Sequence, residues 1–290
     1  MNSLRYEAPS SLGEAIALLA EASGTSRILA GGTDVIVQME TDLIEPDLVV
    51  DVKKIPELRG IAIEDGVFRV GAAVTGMELT DHHAFCKAWP GVTDGVKLIG
   101  SMQIKGRATM GGNLCNASPA ADSVPALIAA GAIARVAGLN GTRDVAVENV
   151  PIGPGMTSLA KDEIIVSFLF PPRPAHTGDA YLRMTPRTEM DIAVVGVGVN
   201  IALDADGVCT AARVSLGAVA PTPLLVEAAG AALMGSRLDA AALDKLAQAA
   251  GAACRPIDDK RGTKEYRVKV AGVLAKRTAL LALERARQNI

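Results

Sequence analysis

The chain is 290 residues long, 49% hydrophobic and 21% charged, which at roughly 100–200 residues per domain predicts about two domains. That composition excludes a disordered or fibrous protein, because such chains lack the apolar surface that offsets conformational entropy. Its 29 Lys and Arg against 32 Asp and Glu give a net charge of −3, so nothing marks it for nucleic acid. No stretch approaches the roughly 20 uncharged apolar residues of a spanning helix. Met1-Asn2-Ser3-Leu4-Arg5 also lacks the n- and h-regions of a secretory signal. No membrane anchor and a cytoplasmic location are therefore expected. With one Trp, three Tyr and four Phe, the cores are expected to be aliphatic.

Leu12, Ile16 and Leu19 recur at helical spacing behind Ser10 and Ser11, predicting a serine-capped helix over 10–22. An apolar run at 27–30, a glycine turn at 31–34, a helical start at 35–39 and a strand at 47–52 follow. Around Asp65-Gly66, residues from 61 onward read as a hairpin that opens a second subdomain. The stretch from Gly100 to Gly112 is polar and punctuated by glycine. Ser118-Pro119-Ala120-Ala121-Asp122, ahead of residues 124–130, has the cap, first-turn proline and acid of a helix start. Strands are expected at 133–138, 144–147 and 163–170. Pro171-Pro172-Arg173-Pro174 cannot sit inside a sheet, because proline has no N–H to donate, and marks the best domain boundary. Beyond it lie strands at 192–203 and 208–219, joined by residues 204–207, and helical segments at 223–234, 238–253 and 264–287. The C-terminal third is α+β with its helices last.

Cys86, Cys115, Cys209 and Cys254 are too far apart for a zinc or iron–sulfur loop and are expected as free, buried thiols. His82, His83 and His176 form no metal-binding motif, so no metal site is expected. Two turns do carry chemistry: Ala30-Gly31-Gly32-Thr33-Asp34 and Thr109-Met110-Gly111-Gly112-Asn113. Consecutive glycines cost chain entropy, and one reason to keep them is close backbone approach to an anion, with successive N–H groups forming a concave nest. Charge-assisted hydrogen bonds of roughly 1.5–3 kcal/mol each would let two such turns hold a diphosphate without Lys or Arg. Asp34 and Asn113 could reach a ribose or ribityl hydroxyl. Either turn alone could be only a tight connection; together they suggest a dinucleotide site. Gly196-Val197-Gly198 lacks the third glycine of a Rossmann turn and continues as an alternating strand, so it reads as close sheet packing. Asp162-Glu163 and Asp258-Asp259 read as solvated charges.

These residues resemble a known family. The two glycine motifs, with Leu114, Ala117-Ser118-Pro119 and Asp122 after them, look like the FAD-binding medium subunit of molybdenum hydroxylases, the group of the carbon monoxide dehydrogenase flavoprotein and the xanthine dehydrogenase FAD-binding subunit. Tyr181, Arg183, Arg187 and Asp191-Ile192-Ala193, then Tyr266-Arg267 and Arg277, extend the likeness over nearly the whole chain. The resemblance implies an α+β fold: a two-subdomain FAD-binding domain (PCMH/vanillyl-alcohol-oxidase-like) over 1–175, split at about 57/58, then a C-terminal domain of antiparallel sheet plus helices over 176–290. Ile28, Leu29, Ala30, Gly31, Gly32, Thr33, Asp34 and Val35, with Thr109, Met110, Gly111, Gly112 and Asn113, would cradle the FAD diphosphate and its neighbours. Asp122 would contact the flavin half. Ile99 and Ile165 would line the flavin or adenine pocket. Arg183 would stand where relatives often have lysine near the isoalloxazine, stabilising the anionic reduced form; a surface ion pair is its other reading. Neither motif places a His or Cys for a covalent link, so FAD is expected to be non-covalent.

The resemblance also implies a division of labour. Molybdenum cofactor and [2Fe-2S] clusters would belong to a large and a small partner subunit, in a dimer of heterotrimers, while this chain passes electrons through FAD to an external acceptor. No catalytic residue is assigned. Two other readings stay open at this point: a stand-alone flavin oxidoreductase of the same superfold, and a non-redox module that binds some other phosphorylated ligand.

Overall fold

The computed structural model describes residues 4–188 and 190–289. Strands β1 (Arg5–Glu7), β2 (Ser26–Leu29) and β3 (Leu48–Asp51), with helices α1 (Leu12–Glu21) and α2 (Val35–Glu40), form the N-terminal unit. Its sheet has the order β1-β3-β2 and is parallel throughout. As parallel pairing requires, crossovers return the chain, and β3 is buried along its whole length. Ser11 caps α1 by accepting from the Glu14 N–H, and Ala15, Ile16 and Leu19 face the core.

The second unit begins with the hairpin β4 (Ile61–Glu64) and β5 (Val67–Gly71). Short helices follow: α3 (Gly76–Asp81), α4 (His83–Ala88), α5 (Pro90–Lys97), α6 (Met102–Lys105) and α7 (Met110–Cys115), then α8 (Ser123–Ala130). Strands β6 (Ile133–Gly138), β7 (Gly141–Ala146), β8 (Pro151–Gly153), β9 (Met156–Thr157) and β10 (Ile164–Phe170) complete it. The main sheet here is antiparallel with the order β4-β5-β10-β6-β7.

After the proline segment, β11 (Thr177–Met184), β12 (Val195–Leu203), β13 (Cys209–Gly217) and β14 (Leu224–Leu225) make a second antiparallel sheet. It is covered by α9 (Glu227–Ala231), α10 (Ala240–Ala253) and α11 (Lys264–Gln288). Every residue of α8 is buried, as expected of a helix that is apolar all round. This helix lies against β12 and β13 while its side chains join the core of the second unit. It is therefore the shared layer between the two halves. A Cβ on Gly198 would lie 2.4 Å from the Pro125 carbonyl oxygen of α8, which bears out the close-packing reading of Gly196-Val197-Gly198.

Several expectations change. The cores are not uniformly aliphatic: Phe68, Phe85, Phe168, Phe170, Trp89 and Tyr181 share one core, with edge-on Phe68–Phe85 and Phe85–Phe170 contacts at 5.5 and 5.0 Å. The C-terminal core is aliphatic. The helix expected from Ser118 starts at Ser123, because Ser118 closes a turn of its own by accepting from Ala120 N–H. The polar stretch 100–112 folds as α6 and the start of α7. Strand β11 went unread because Gly178 and Asp179 break its apolar pattern. Both are required by tertiary neighbours: α11 backbone lies where a Gly178 Cβ would stand, 2.1 Å from the Ala282 oxygen, and Asp179 is neutralised by Arg173 at 2.6 Å. The helix expected at 223–234 begins as β14. Cys115 is exposed and Cys86 half-buried, whereas Cys209 and Cys254 are buried as expected. Glu163 and Asp259 are ion-paired to Arg143 and to buried Arg267 at 2.6 and 2.7 Å instead of merely solvated. No helix among the described residues is long and apolar enough to cross a membrane.

Since the Gly198 contact is with backbone, Gly198→Val should lower unfolding stability by about 3 kcal/mol, read as a lower urea midpoint at unchanged slope.

Candidate dinucleotide site

Strand β2 delivers the first glycine turn, and α7 carries the second, to one cleft of about 520 Å³, within the range of about 300–1,000 Å³ typical of small-molecule sites. The two turns are in contact through backbone. A Cβ on Gly31 would fall 2.3 Å from the Arg107 carbonyl oxygen, so only glycine lets the first turn press against the segment leading into the second. Gly32 holds φ +79°, a left-handed conformation that favours glycine. Gly112 differs. Outside its own helix, only Thr109 Oγ1, at 3.2 Å, lies within 4 Å of its missing Cβ, so its bare face has no packing partner to explain it.

The amides are arranged to match. N–H groups of Gly32, Thr33, Asp34 and Val35 find no acceptor among the described residues. That of Gly112 is already used, donating to Thr109 Oγ1 at 2.9 Å, the cap of α7. The second turn therefore offers fewer free donors than its glycines suggest. Asn113 also spends an atom inside the protein: its Oδ1 accepts from Ser123 N–H at 3.2 Å and Oγ at 2.6 Å, tying the turn to the start of α8.

Of the residues singled out in the sequence, Ile28, Ala30, Gly31, Gly32, Thr33, Asp34, Val35, Ile99, Thr109, Gly111, Gly112, Asn113 and Ile165 all line this cleft. Leu29 stands behind the first turn and Met110 is turned into the core. Asp122 and Arg183 lie off the wall as a buried pair, Arg183 Nη1 to Asp122 Oδ2 at 2.5 Å, and the Tyr181 hydroxyl donates to Asp122 Oδ1 at 3.1 Å. Burial pushes the Asp122 carboxyl up to about 6, against the pull of the Arg183 charge and of the Tyr181 hydrogen bond. Burial likewise lifts the Asp34 carboxyl, with a Thr33 hydrogen bond opposing it. Sequence reading missed Gln38 and Asn116 on the cleft wall. Asn116 lies three residues beyond Asn113, on the same helical face, and that spacing was the available signal. Among the described residues no cluster of three His, Cys, Asp or Glu could hold a metal ion.

Two glycine turns flooring a cleft with unpartnered amides define a dinucleotide-type binding protein. Two family models match the chain: "FAD binding domain in molybdopterin dehydrogenase" over residues 2–173 and "CO dehydrogenase flavoprotein C-terminal domain" over 180–282. The chain is 32% identical to the xanthine dehydrogenase FAD-binding subunit of Escherichia coli O157:H7, covering 94% of this chain and 93% of that one. It is 34% identical to the carbon monoxide dehydrogenase medium chain of Afipia carboxidovorans, covering 98% of both. Its fold superposes on a chain of CO dehydrogenase from Oligotropha carboxidovorans with a TM-score of 0.93 at 34% identity, covering 98% of both. Quinoline 2-oxidoreductase from Pseudomonas putida 86 gives 0.89 at 27%, with the same coverage. This chain belongs to the FAD-binding family of molybdopterin dehydrogenases.

The Asp122 environment yields a measurable sign. Removing the cation with Arg183→Met takes away what lowers the carboxyl, so Asp122 should titrate above its value of about 6; carboxyl-carbon NMR of aspartate-labelled protein reads the shift.

Proposed function

We propose that this chain is the FAD-carrying, electron-transfer subunit of a molybdenum-containing hydroxylase, and that FAD occupies the cleft between the glycine turns. The observation that carries the reading is the set of unpartnered N–H groups at Gly32–Val35 facing a cleft that also holds the bare face of Gly112. A diphosphate needs donors and room for backbone to approach, and these residues fit it. The two turns would hold the diphosphate, with Asp34 and Asn113 beside neighbouring hydroxyls, and Ile28, Ile99 and Ile165 would give apolar wall to the ring systems. When bound, FAD takes electrons singly or in pairs, joining one-electron carriers to a two-electron acceptor.

The Asp122–Arg183 pair sits behind Asn113 through Ser123. It would act on the flavin half as a fixed, charge-balanced group, so Arg183 would not present a free cation. Attachment would be non-covalent. Molybdenum and iron–sulfur chemistry would lie on partner subunits, a small iron–sulfur chain and a large molybdenum chain in a dimer of heterotrimers, with electrons leaving FAD for an external acceptor. The relatives' names support this assignment: they are a FAD-binding subunit and a medium chain. We place the protein in the cytoplasm, and the domain boundary at 175/176 with a subdomain boundary near 57/58, where the N-terminal parallel sheet gives way to the β4–β5 hairpin.

Gly112→Val tests the cofactor placement, because outside the helix backbone its Cβ meets only Thr109 Oγ1, at 3.2 Å, and the rest of the side chain enters the open cleft. The variant should keep wild-type circular dichroism and lose the flavin absorbance of the purified protein. Full flavin in that variant, or a wild type that is colourless and takes up no FAD, would overturn the placement. Native mass spectrometry of the assembly reads cofactor and companion chains together; a lone chain turning over substrate would point instead to a stand-alone flavin oxidoreductase.

A further inference from the structure

We infer that Asn116 is a positioning residue for the cofactor site: its carboxamide ties the two glycine turns together and fixes the Asp34 carboxylate away from the capping position of α2. This rests on the reading of the cleft as the FAD site. Asn116 closes α7, and both ends of its amide are engaged across the cleft. Its Nδ2 donates to Asp34 Oδ1 at 3.1 Å, and its Oδ1 accepts from Gln38 Nε2 at 3.0 Å. One side chain thus spans from the second turn's helix to two points on α2. The orientation is forced, since an ionised carboxylate only accepts hydrogen bonds: Asp34 must face the Asn116 NH2 group, which leaves the Asn116 oxygen for Gln38.

The consequence falls on Asp34. It stands at the N-cap of α2, where aspartate ordinarily adopts extended backbone and turns its carboxylate onto the N–H two or three residues ahead. Here the backbone is helical, φ −105° and ψ −52°, and no such bond is made. The carboxylate is held by the Asn116 amide instead. Freed from Asn116, Asp34 could swing back as an ordinary cap. It would then accept from the N–H of Ile36 or Val37, and the helix of the second turn would lose its hold on the first.

A swap tests this in the full chain stripped of flavin, by titrating FAD against flavin fluorescence. Asn116→Asp alone sets two carboxylates face to face and should weaken FAD binding by about tenfold. Adding Asp34→Asn restores a donor opposite an acceptor and keeps the bond from Gln38, so affinity should return to within about threefold of wild type. The bridge exists without ligand, so the thermal midpoint of the flavin-free protein should fall and recover in the same order. If Asn116→Asp misfolds, Asn116→Ala and Gln38→Ala take its place, and their effects on FAD affinity should be non-additive. Wild-type affinity in Asn116→Asp, no rescue by the swap, or additive alanine effects would overturn the inference, the last two being what direct contact with FAD predicts. A wild type that binds no FAD while the thermal midpoints still fall and recover would instead refute the FAD reading and leave the bridge standing.

Discussion

The structure depends on one close approach of backbone to backbone. At Gly31 the first turn comes so near the Arg107 carbonyl that no side chain fits between them. That proximity brings two segments nearly eighty residues apart to the same cleft. Everything else at the site follows from it: the left-handed Gly32, the unpartnered amides, and an Asn116 within reach of Asp34 and Gln38. Hydrogen-bond donors fixed before a ligand arrives need little reorganisation to receive it, which is the general advantage of a site built on backbone.

The second organising element is α8. Because it is buried on every side, it belongs to neither half alone. The C-terminal sheet meets it through Gly198 and through Arg213, whose Nε donates to the Ile128 carbonyl at 3.0 Å. Its start is gripped from the C-terminal side by Tyr181 and Arg183 on Asp122, and from the cleft side by Asn113 on Ser123. The C-terminal domain thereby reaches the second glycine turn through two side-chain contacts in series. A further ionic cluster reinforces the junction: Arg285 pairs with Asp94 at 2.6 Å, and Arg173 pairs with Asp179 while stacking over Trp89 at 4.8 Å. Breaking one partner of the buried Arg173–Asp179 pair would leave an uncompensated charge.

What could be read from the sequence was local. Apolar spacing and a serine cap were enough for α1. The Asp65-Gly66 turn was enough for the β4–β5 hairpin, and the two glycine pairs together were enough to suggest a dinucleotide. Each of these signals is carried by residues within a few positions of one another, and neighbouring residues decide turns, caps and amphipathic faces by themselves. Family resemblance, carried by motifs of the same short range, supplied the cofactor class and the expected partners.

Tertiary structure alone decided the rest. That Asp179 could be buried in a strand depended on Arg173, and that Gly112 faces open cleft while Gly31 faces a carbonyl could not be told from two similar glycine pairs. Asn116 had no distinguishing feature beyond its spacing from Asn113 until folding set it opposite Asp34. The sequence by itself determined which residues could bend, cap or alternate, because those properties belong to each residue and its nearest neighbours. Only the folded chain decided which polar atoms were used up inside the protein and which remained free for a ligand, because a hydrogen bond is assigned by distance in space.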